Sequence, residues 1–194
     1  MRMFNADGSE GAMCGNAIRC VAKYLFDNQI VAKNPISIET KSGIKTIDYH
    51  PERSEATVAM GRARVLSKGF VTHVDVGNPH AVLFCNDVGA IDVHGIGAFI
   101  ERSPYFVGGV NVEFVQIVSP TRIKMRVWER GSGETMACGT GSCASVVACI
   151  EHGFCKMDTD VAVELLGGEL TIRVTDGGIF MTGGCTHVFS GVIE

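Results

Sequence analysis

The segment FNADGSEGAMCGNA at residues 4–17 has a counterpart in WERGSGETMACGTG at residues 128–141, and the two segments start 124 residues apart. Each runs from the end of a strand-like segment, through a glycine-rich turn with an acidic residue, to a Cys-Gly pair. Apolar or small residues at helical spacing follow both cysteines. This repeated unit predicts two similar α+β lobes, each with a helix that begins just after its cysteine.

The rest of the chain consists mainly of short runs rich in Val, Ile and Thr, separated by glycine-containing turns. The pattern predicts helices over about 15–25, 88–100 and 143–150. The last of these is apolar or small all round, which is typical of a fully buried helix, and Gly153 is placed to close it. Strands are predicted at 36–40, 46–49, 56–60, 123–128, 161–165, 169–174, 179–182 and 186–193.

These elements predict an α+β fold of two pseudo-symmetric lobes, each a curved, mostly antiparallel sheet around a central helix. We expect residues 1–70 to form the first lobe, with the C-terminal strand at about 186–194 able to join it. We expect residues 71–185 to form the second lobe. The active site is expected in the cleft between the lobes.

Composition excludes several classes of protein. The net charge is −4 and the basic residues are scattered, which argues against a nucleic-acid partner. No apolar run reaches the roughly 18 residues that a membrane helix needs. Eight cysteines are too few for a disulfide scaffold, and the N-terminus shows no basic region followed by an apolar core. The sequence therefore indicates a cytoplasmic protein with a small-molecule ligand.

Cys14 and Cys138 both stand just before a predicted helix, where unpaired N–H groups and the helix dipole favour a thiolate. The same N–H groups can bind a substrate carboxylate. Two such units would place one sulfur on each face of a ligand, which suits inversion of a carbon centre by one thiolate and one thiol. This chemistry requires neither a cofactor nor a metal.

Other interpretations fit less well. The remaining six cysteines are interpreted as space-filling, because free cysteine is among the most buried residue types. A zinc site also fits poorly, since only Cys138 and Cys143 come near the C-x₂₋₄-C spacing of a zinc knuckle, and Cys143 and Cys149 lie within the predicted buried helix. Nothing orients His80 toward a cysteine as in a hydrolase. No lysine follows Gly139-Thr140-Gly141 as in a phosphate-binding loop.

The two cysteine segments closely resemble those of the diaminopimelate epimerases, and the similarity extends through Gly77-Asn78-Pro79-His80 and Val110-Asn111-Val112. The resemblance implies an enzyme without cofactor that interconverts LL- and meso-diaminopimelate in lysine synthesis. It implies that Cys14 and Cys138 are the acid and base. The amides at Gly15-Asn16 and Gly139-Thr140 would hold the carboxylate at the reacting centre. Substrate binding is implied for Asn5, Asn78, Asn111, Glu129 and Arg130, with His80 as a further candidate.

The chain departs from the family pattern in two places. Ala17 stands where the family commonly has glycine, a change that we expect to alter packing more than chemistry. Family members also carry some sixty residues before the first motif, including a substrate-binding asparagine. We therefore expect an incomplete first lobe and little or no activity from these 194 residues alone.

Two rival functions stay open at this point. The first is a racemase or epimerase for a proline-like substrate, since the related proline racemases share the cysteine pair. The second is a non-catalytic remnant that merely retains the fold or binds a ligand. For an active enzyme of this type we also expect a homodimer.

Overall fold

The computed structural model describes residues 1–4, 8, 10–11 and 13–192. The chain forms two compact units: unit 1 comprises Met1–Val58 and Thr182–Glu194, and unit 2 comprises Ala59–Met181. These bounds differ from the expected lobes of 1–70 and 71–185. Residues 64–67 belong to unit 2 because they pair as a strand with Val71–Asp75. Residues beyond 181 belong to unit 1, where the Cys185 amide donates a hydrogen bond to the Ser54 carbonyl.

The described residues of unit 1 form one helix and two small groups of strands. Strands β1 (Met3–Phe4) and β2 (Glu10–Gly11) form an antiparallel pair that leads into helix α1 (Gly15–Asp27). Next come β3 (Ile36–Thr40), β4 (Gly43–His50) and β5 (Glu55–Gly61), which pair antiparallel in that order. Side chains alternate between buried and exposed along β3, as expected for a strand with one face on the core. The predicted first helix and first three strands are confirmed.

Unit 2 is built on a larger sheet. Its strands are β6 (Arg64–Ser67), β7 (Val71–Asp75), β8 (Pro79–Phe84), β9 (Asn111–Ser119), β10 (Arg122–Glu129), β11 (Gly133–Thr135), β12 (Asp160–Leu165), β13 (Gly168–Thr175) and β14 (Gly178–Gly184). The order is β14-β13-β12-β10-β9-β8-β7-β6, with β11 attached to β10, and the chain passes between the units within β5 and β14. The pairs β8–β9 and β10–β12 are parallel, so mostly antiparallel pairing is confirmed.

Two further helices belong to unit 2. A short 3₁₀ turn at Val88–Ala90 and helix α2 (Val93–Glu101) occupy the segment that was predicted as helical despite its glycines. Helix α3 (Gly139–Glu151) is buried without interruption from Gly141 to Cys149 and packs against β7, β8, β9, β10 and β13. Gly153 ends it with a positive φ of 77°. The fully buried central helix is therefore confirmed.

The predicted strand over 186–193 is wrong for its described part. Residues 185–192 have no regular secondary structure, and Val188, Phe189 and Val192 are strongly exposed. A strand exists only where a neighbour accepts and donates its backbone hydrogen bonds, and none of the described residues does so here. Alternating apolar residues in the sequence indicate a tendency to form a strand but supply no partner.

Within the described residues, no helix is both long and apolar enough to span a membrane.

Candidate active site

Cys14 caps the N-terminus of α1. Its backbone is extended (φ −124°, ψ 117°), and its Sγ accepts a hydrogen bond from the Ala17 amide at 3.5 Å. The thiol therefore takes the position that Ser, Thr or Asp usually occupies at a helix start. The amides of Gly15 and Asn16 lie in the first turn, where a helix offers them no acceptor of its own.

Cys138 caps α3 with nearly the same geometry. Its φ and ψ are −130° and 114°, and its Sγ accepts from the Gly141 amide at 3.3 Å. Gly139 and Thr140 correspond to Gly15 and Asn16, and their amides are likewise first-turn donors. Both helix starts thus combine a sulfur with N–H groups that have no acceptor within their own helix, as the sequence predicted.

The similarity extends to the strands before each cap. Phe4 pairs with Glu10 in the β1–β2 hairpin, and Trp128 pairs with Glu134 in the β10–β11 hairpin. Both pairs, like the capping cysteines, are related by the same offset of 124 residues. The predicted internal repeat is therefore present as a hairpin followed by a cysteine-capped helix.

Burial dominates the electrostatics of Cys138. Desolvation raises the pKa of its thiol well above the ordinary range, and the negative charge of Glu129 raises it further. Hydrogen bonds from Thr140 and the Gly141 amide act in the opposite direction but are weaker. The expectation of a favoured thiolate is therefore wrong for Cys138, because burial and the charge of Glu129 outweigh the hydrogen bonds at the helix start.

A hydrogen-bonded network lies beside Cys138. His80 and Glu113 are both fully buried, and His80 Nδ1 lies 2.6 Å from Glu113 Oε1. On its other side, His80 Nε2 lies 3.1 Å from Asn78 Oδ1. Asn78 Nδ2 donates to Thr140 Oγ1 at 3.4 Å, and that hydroxyl lies 3.5 Å from Cys138 Sγ. The structure thus brings together Asn78, His80, Thr140 and Cys138, four of the predicted site residues.

The Trp-Glu-Arg-Gly segment leads away from β10 next to Asn111. The buried Asn111 accepts from the Arg130 amide through its Oδ1 at 2.9 Å. The exposed Arg130 guanidinium donates from Nη1 to the Gly108 carbonyl at 2.9 Å, which fixes the direction of its planar fork. Glu129 accepts from the Thr135 hydroxyl at 2.5 Å. These contacts hold the predicted binding residues of unit 2 in defined positions.

The described residues near Cys14 form fewer side-chain hydrogen bonds than those near Cys138. Asn16 Oδ1 accepts from Arg19 Nη1 at 3.1 Å, and the same guanidinium nitrogen donates to the Gly15 carbonyl at 3.2 Å. The buried Arg19 therefore orients Asn16. Asn5, predicted to bind substrate, lies outside the described residues.

The structure adds three residues that the sequence did not identify: Glu113, Glu101 and Arg19. Glu113 follows Asn111 by two positions in β9, so both side chains lie on the same face of the strand, and that spacing is a signal that could have found it. Glu101 accepts from Trp128 Nε1 at 2.7 Å and from the Gly131 amide at 3.0 Å. Glu101 has no comparable signal in the sequence, because only the folding of the chain brings α2 next to the turn at Gly131.

The other six cysteines are free thiols, like Cys14 and Cys138. The space-filling interpretation holds for the four buried ones, Cys143, Cys149, Cys155 and Cys185. It is wrong for Cys20, which is exposed on α1. Within the described part of the chain, no three His, Cys, Asp or Glu side chains form a metal-binding group.

Solved structures share this architecture. The model matches a probable proline racemase from Agrobacterium radiobacter K84 with a TM-score of 0.70 and 18% identity, covering 94% of this chain and 68% of that chain. It matches a Bacillus anthracis phenazine biosynthesis protein of the PhzF family with a TM-score of 0.74 and 14% identity, covering 95% and 76%. These matches show that the chain shares the α+β fold of both proteins.

Sequence comparison gives the particular family. The family model described as diaminopimelate epimerase matches residues 1–66 and 72–188. A diaminopimelate epimerase of Desulfovibrio desulfuricans is 42% identical, with 98% of this chain and 77% of the relative aligned. One of Halothermothrix orenii is 44% identical, with 100% and 77% aligned. The chain belongs to the diaminopimelate epimerase family.

Proposed function

We propose that this protein interconverts LL-2,6-diaminopimelate and meso-diaminopimelate in lysine biosynthesis, with Cys14 and Cys138 as the acid–base pair. The observation that carries the proposal is the repeated cap: each thiol begins a helix with the same backbone angles and accepts from the amide three residues on. The relatives of 42–44% identity that are named diaminopimelate epimerase support the choice of substrate.

In the proposed reaction, one cysteine acts as a thiolate and removes the α-proton from one face of the substrate carbon. The other, as a thiol, donates its proton to the opposite face, so the centre inverts and the two sulfurs exchange protonation states. The first-turn amides of each helix stabilise the charge that develops on the carboxylate. Every step uses side chains and amides of this chain, so no cofactor is included.

The buried environment of Cys138 supports a defined starting state. Because desolvation raises the pKa of its thiol, Cys138 begins the cycle protonated and first serves as the proton donor. Cys14 is half-buried and would be the first base. In the reverse direction the two roles are exchanged.

Substrate binding is assigned to polar groups near the caps. We propose that Asn5, Asn16, Asn78 and Asn111 bind the polar ends of the substrate. The Arg130 fork, together with Glu129, would bind the distal amino-acid group, since a planar guanidinium pairs well with a carboxylate. His80 is assigned a supporting role in the site.

We assign the activity to the cytoplasm, since a reducing compartment preserves free thiols such as these eight. The proposal retains a homodimer.

The test is a substrate comparison with the purified protein, to which the upstream segment of a diaminopimelate epimerase relative is fused because this chain aligns with 77% of the length of those relatives. LL-diaminopimelate, L-proline and trans-4-hydroxy-L-proline are incubated separately, and the stereoisomers are separated by chiral chromatography. We expect inversion of diaminopimelate alone, and none with a Cys14→Ala/Cys138→Ala double variant purified in parallel. Inversion of a proline substrate in preference to diaminopimelate would overturn the assignment. Equal conversion by the double variant would trace the activity to a contaminant.

A further inference from the structure

Glu113 is a buried acid that the proposed reaction does not use directly. Its side chain is fully inaccessible, its Oε1 lies 2.6 Å from His80 Nδ1, and its Oε2 has no hydrogen-bond partner among the described residues. A buried carboxyl oxygen without a partner costs free energy. The contact between Oε1 and His80 therefore indicates the role of this carboxyl group.

The direction of each hydrogen bond in the network follows from what each atom can donate. An amide oxygen only accepts, so His80 Nε2, 3.1 Å from Asn78 Oδ1, carries a proton. Asn78 then presents its Nδ2 to the Thr140 oxygen. The Thr140 hydroxyl hydrogen is thereby left to point at Cys138 Sγ, 3.5 Å away. Every donor in the series is directed toward the sulfur.

The contact between Glu113 and His80 maintains that direction. With Nε2 protonated, Nδ1 and Glu113 Oε1 share one proton, either as imidazole and carboxylic acid or as imidazolium and carboxylate. Burial raises the pKa of Glu113, which favours the carboxylic acid, with its O–H donated to Nδ1. Both arrangements leave Nε2–H facing Asn78.

Without Glu113, His80 could take the other tautomer and present a bare Nε2. Asn78 would then rotate its amide to donate to that nitrogen, and its oxygen would face Thr140. The Thr140 hydroxyl would donate to Asn78 in place of Cys138. We propose that Glu113 is a positioning residue: by holding His80 in its Nε2–H form, it directs the Thr140 hydroxyl hydrogen to Cys138 Sγ. The inference rests on the proposed role of Cys138 as a proton carrier.

Two substitutions separate this role from a charge effect or from packing. In Glu113→Gln the side-chain amide can still donate to Nδ1, so the direction of the network is preserved. In Glu113→Met the side chain has a similar volume but cannot form a hydrogen bond to Nδ1, so His80 is no longer held in its Nε2–H tautomer. Thr72→Val is the matched control, because Thr72 is a fully buried hydroxyl in the same sheet that bonds to His152 at 2.9 Å, outside the network.

The first readout is the pH dependence of Cys138 alkylation by iodoacetamide in the substrate-free protein, followed by mass spectrometry. Two carboxyl groups face this sulfur: Glu129 on β10, whose negative charge raises the pKa of the thiol, and Glu113 on β9, which burial favours as the neutral acid. The N-terminus of α3 also faces it. In Glu113→Met we expect the alkylation midpoint to rise by roughly one to two pH units, since a hydrogen bond to the thiolate is lost. Glu113→Gln and Thr72→Val should keep the wild-type midpoint.

A lower midpoint in both Glu113 variants would show that Glu113 acts through negative charge and would overturn the proposal. An unchanged midpoint in Glu113→Met would also overturn it. Alkylation is measured without turnover, so these outcomes are distinct from a failure of the proposed epimerase activity.

The second readout is the protonated nitrogen of His80 in a long-range ¹H–¹⁵N NMR spectrum. We expect a protonated Nε2 in the wild type and Glu113→Gln, and its loss in Glu113→Met. A bare Nε2 in the wild type would contradict the proposal. In turnover, Glu113→Met should lower kcat for diaminopimelate by about tenfold or more with little change in KM, and Glu113→Gln should restore it.

Discussion

A methyl group on Gly141 would lie 2.7 Å from Oε1 of Glu113 and 3.3 Å from Cys138 Sγ. Glycine at this position therefore lets the first turn of α3 approach the buried carboxyl while its amide donates to the sulfur. The equivalent position in α1 is Ala17, whose amide makes the same contact with Cys14. The cysteine cap is thus compatible with alanine at this position in α1. In α3 the same position requires glycine, because the Glu113 carboxyl lies against it.

Gly141→Ala is expected to destabilise the protein, because the added methyl group would displace the Glu113 carboxyl, which lies 2.6 Å from His80 Nδ1. Overpacking of this kind costs about 1–3 kcal/mol in unfolding free energy. Urea denaturation measures the loss, with Gly69→Ala as the control, since a methyl group there would meet only one atom at 3.9 Å. Equal stability of the two variants would show that the first turn of α3 relaxes freely.

Gly97→Ala tests the packing of α2 on the Trp-Glu-Arg-Gly turn. A Cβ on Gly97 would lie 2.5 Å from Cβ of Trp128. We expect the free energy of unfolding to fall by about 1–3 kcal/mol. Substrate binding should also weaken, because a displacement of Trp128 would move the adjacent Glu129 and Arg130. Thermal unfolding and the KM for diaminopimelate measure the two effects. A change in neither would mean that α2 does not support the turn.

Glu129→Gln is expected to lower the pKa of Cys138, since the charge of Glu129 contributes to raising it. The midpoint of Cys138 alkylation should therefore move to lower pH. Glu134→Gln is the matched control, because Glu134 lies in the same hairpin but pairs with Arg126 at 2.7 Å. A midpoint that moves equally in both variants would point to a general change of charge and not to the Glu129–Cys138 interaction.

The sequence predicted the parts of the fold that depend on local pattern. Cys-Gly before an apolar helical run correctly located the starts of α1 and α3, and glycine-rich turns correctly located the hairpins. Thr186 to Ile193 has the alternation of a strand, yet its described residues form none, because strand formation depends on a partner elsewhere in the chain.

The sequence predicted those site residues that lie together in a motif. It did not predict the residues that the fold brings to the site from elsewhere in the chain. Cys138 and Thr140 stand together in the sequence, whereas Glu113 reaches them only through the pairing of β8 with β9. The raised pKa of the Cys138 thiol was missed for the same reason. The sequence shows the helix start but not the depth at which the fold buries it.

Single replacements test the two thiols independently. Cys14→Ala and Cys138→Ala should each lower kcat by at least about 10²–10⁴-fold, the usual contribution of one acid–base group. Serine should also fail at either position, because its hydroxyl is too weak an acid. Cys20→Ala is the control, since that thiol is exposed on α1. Substantial inversion by either alanine variant would remove that cysteine from the mechanism.

The most direct test of the two-thiol account is the early isotope content of substrate and product in heavy water. A thiol on one face delivers solvent deuterium to the inverted centre, while the thiolate on the other face retains the proton it has just removed. We therefore expect product that carries deuterium at the inverted α-carbon while recovered LL-diaminopimelate is still protonated, as measured by mass spectrometry at low conversion. Equal early labelling of substrate and product would contradict separate thiols on the two faces and would indicate a single exchanging base.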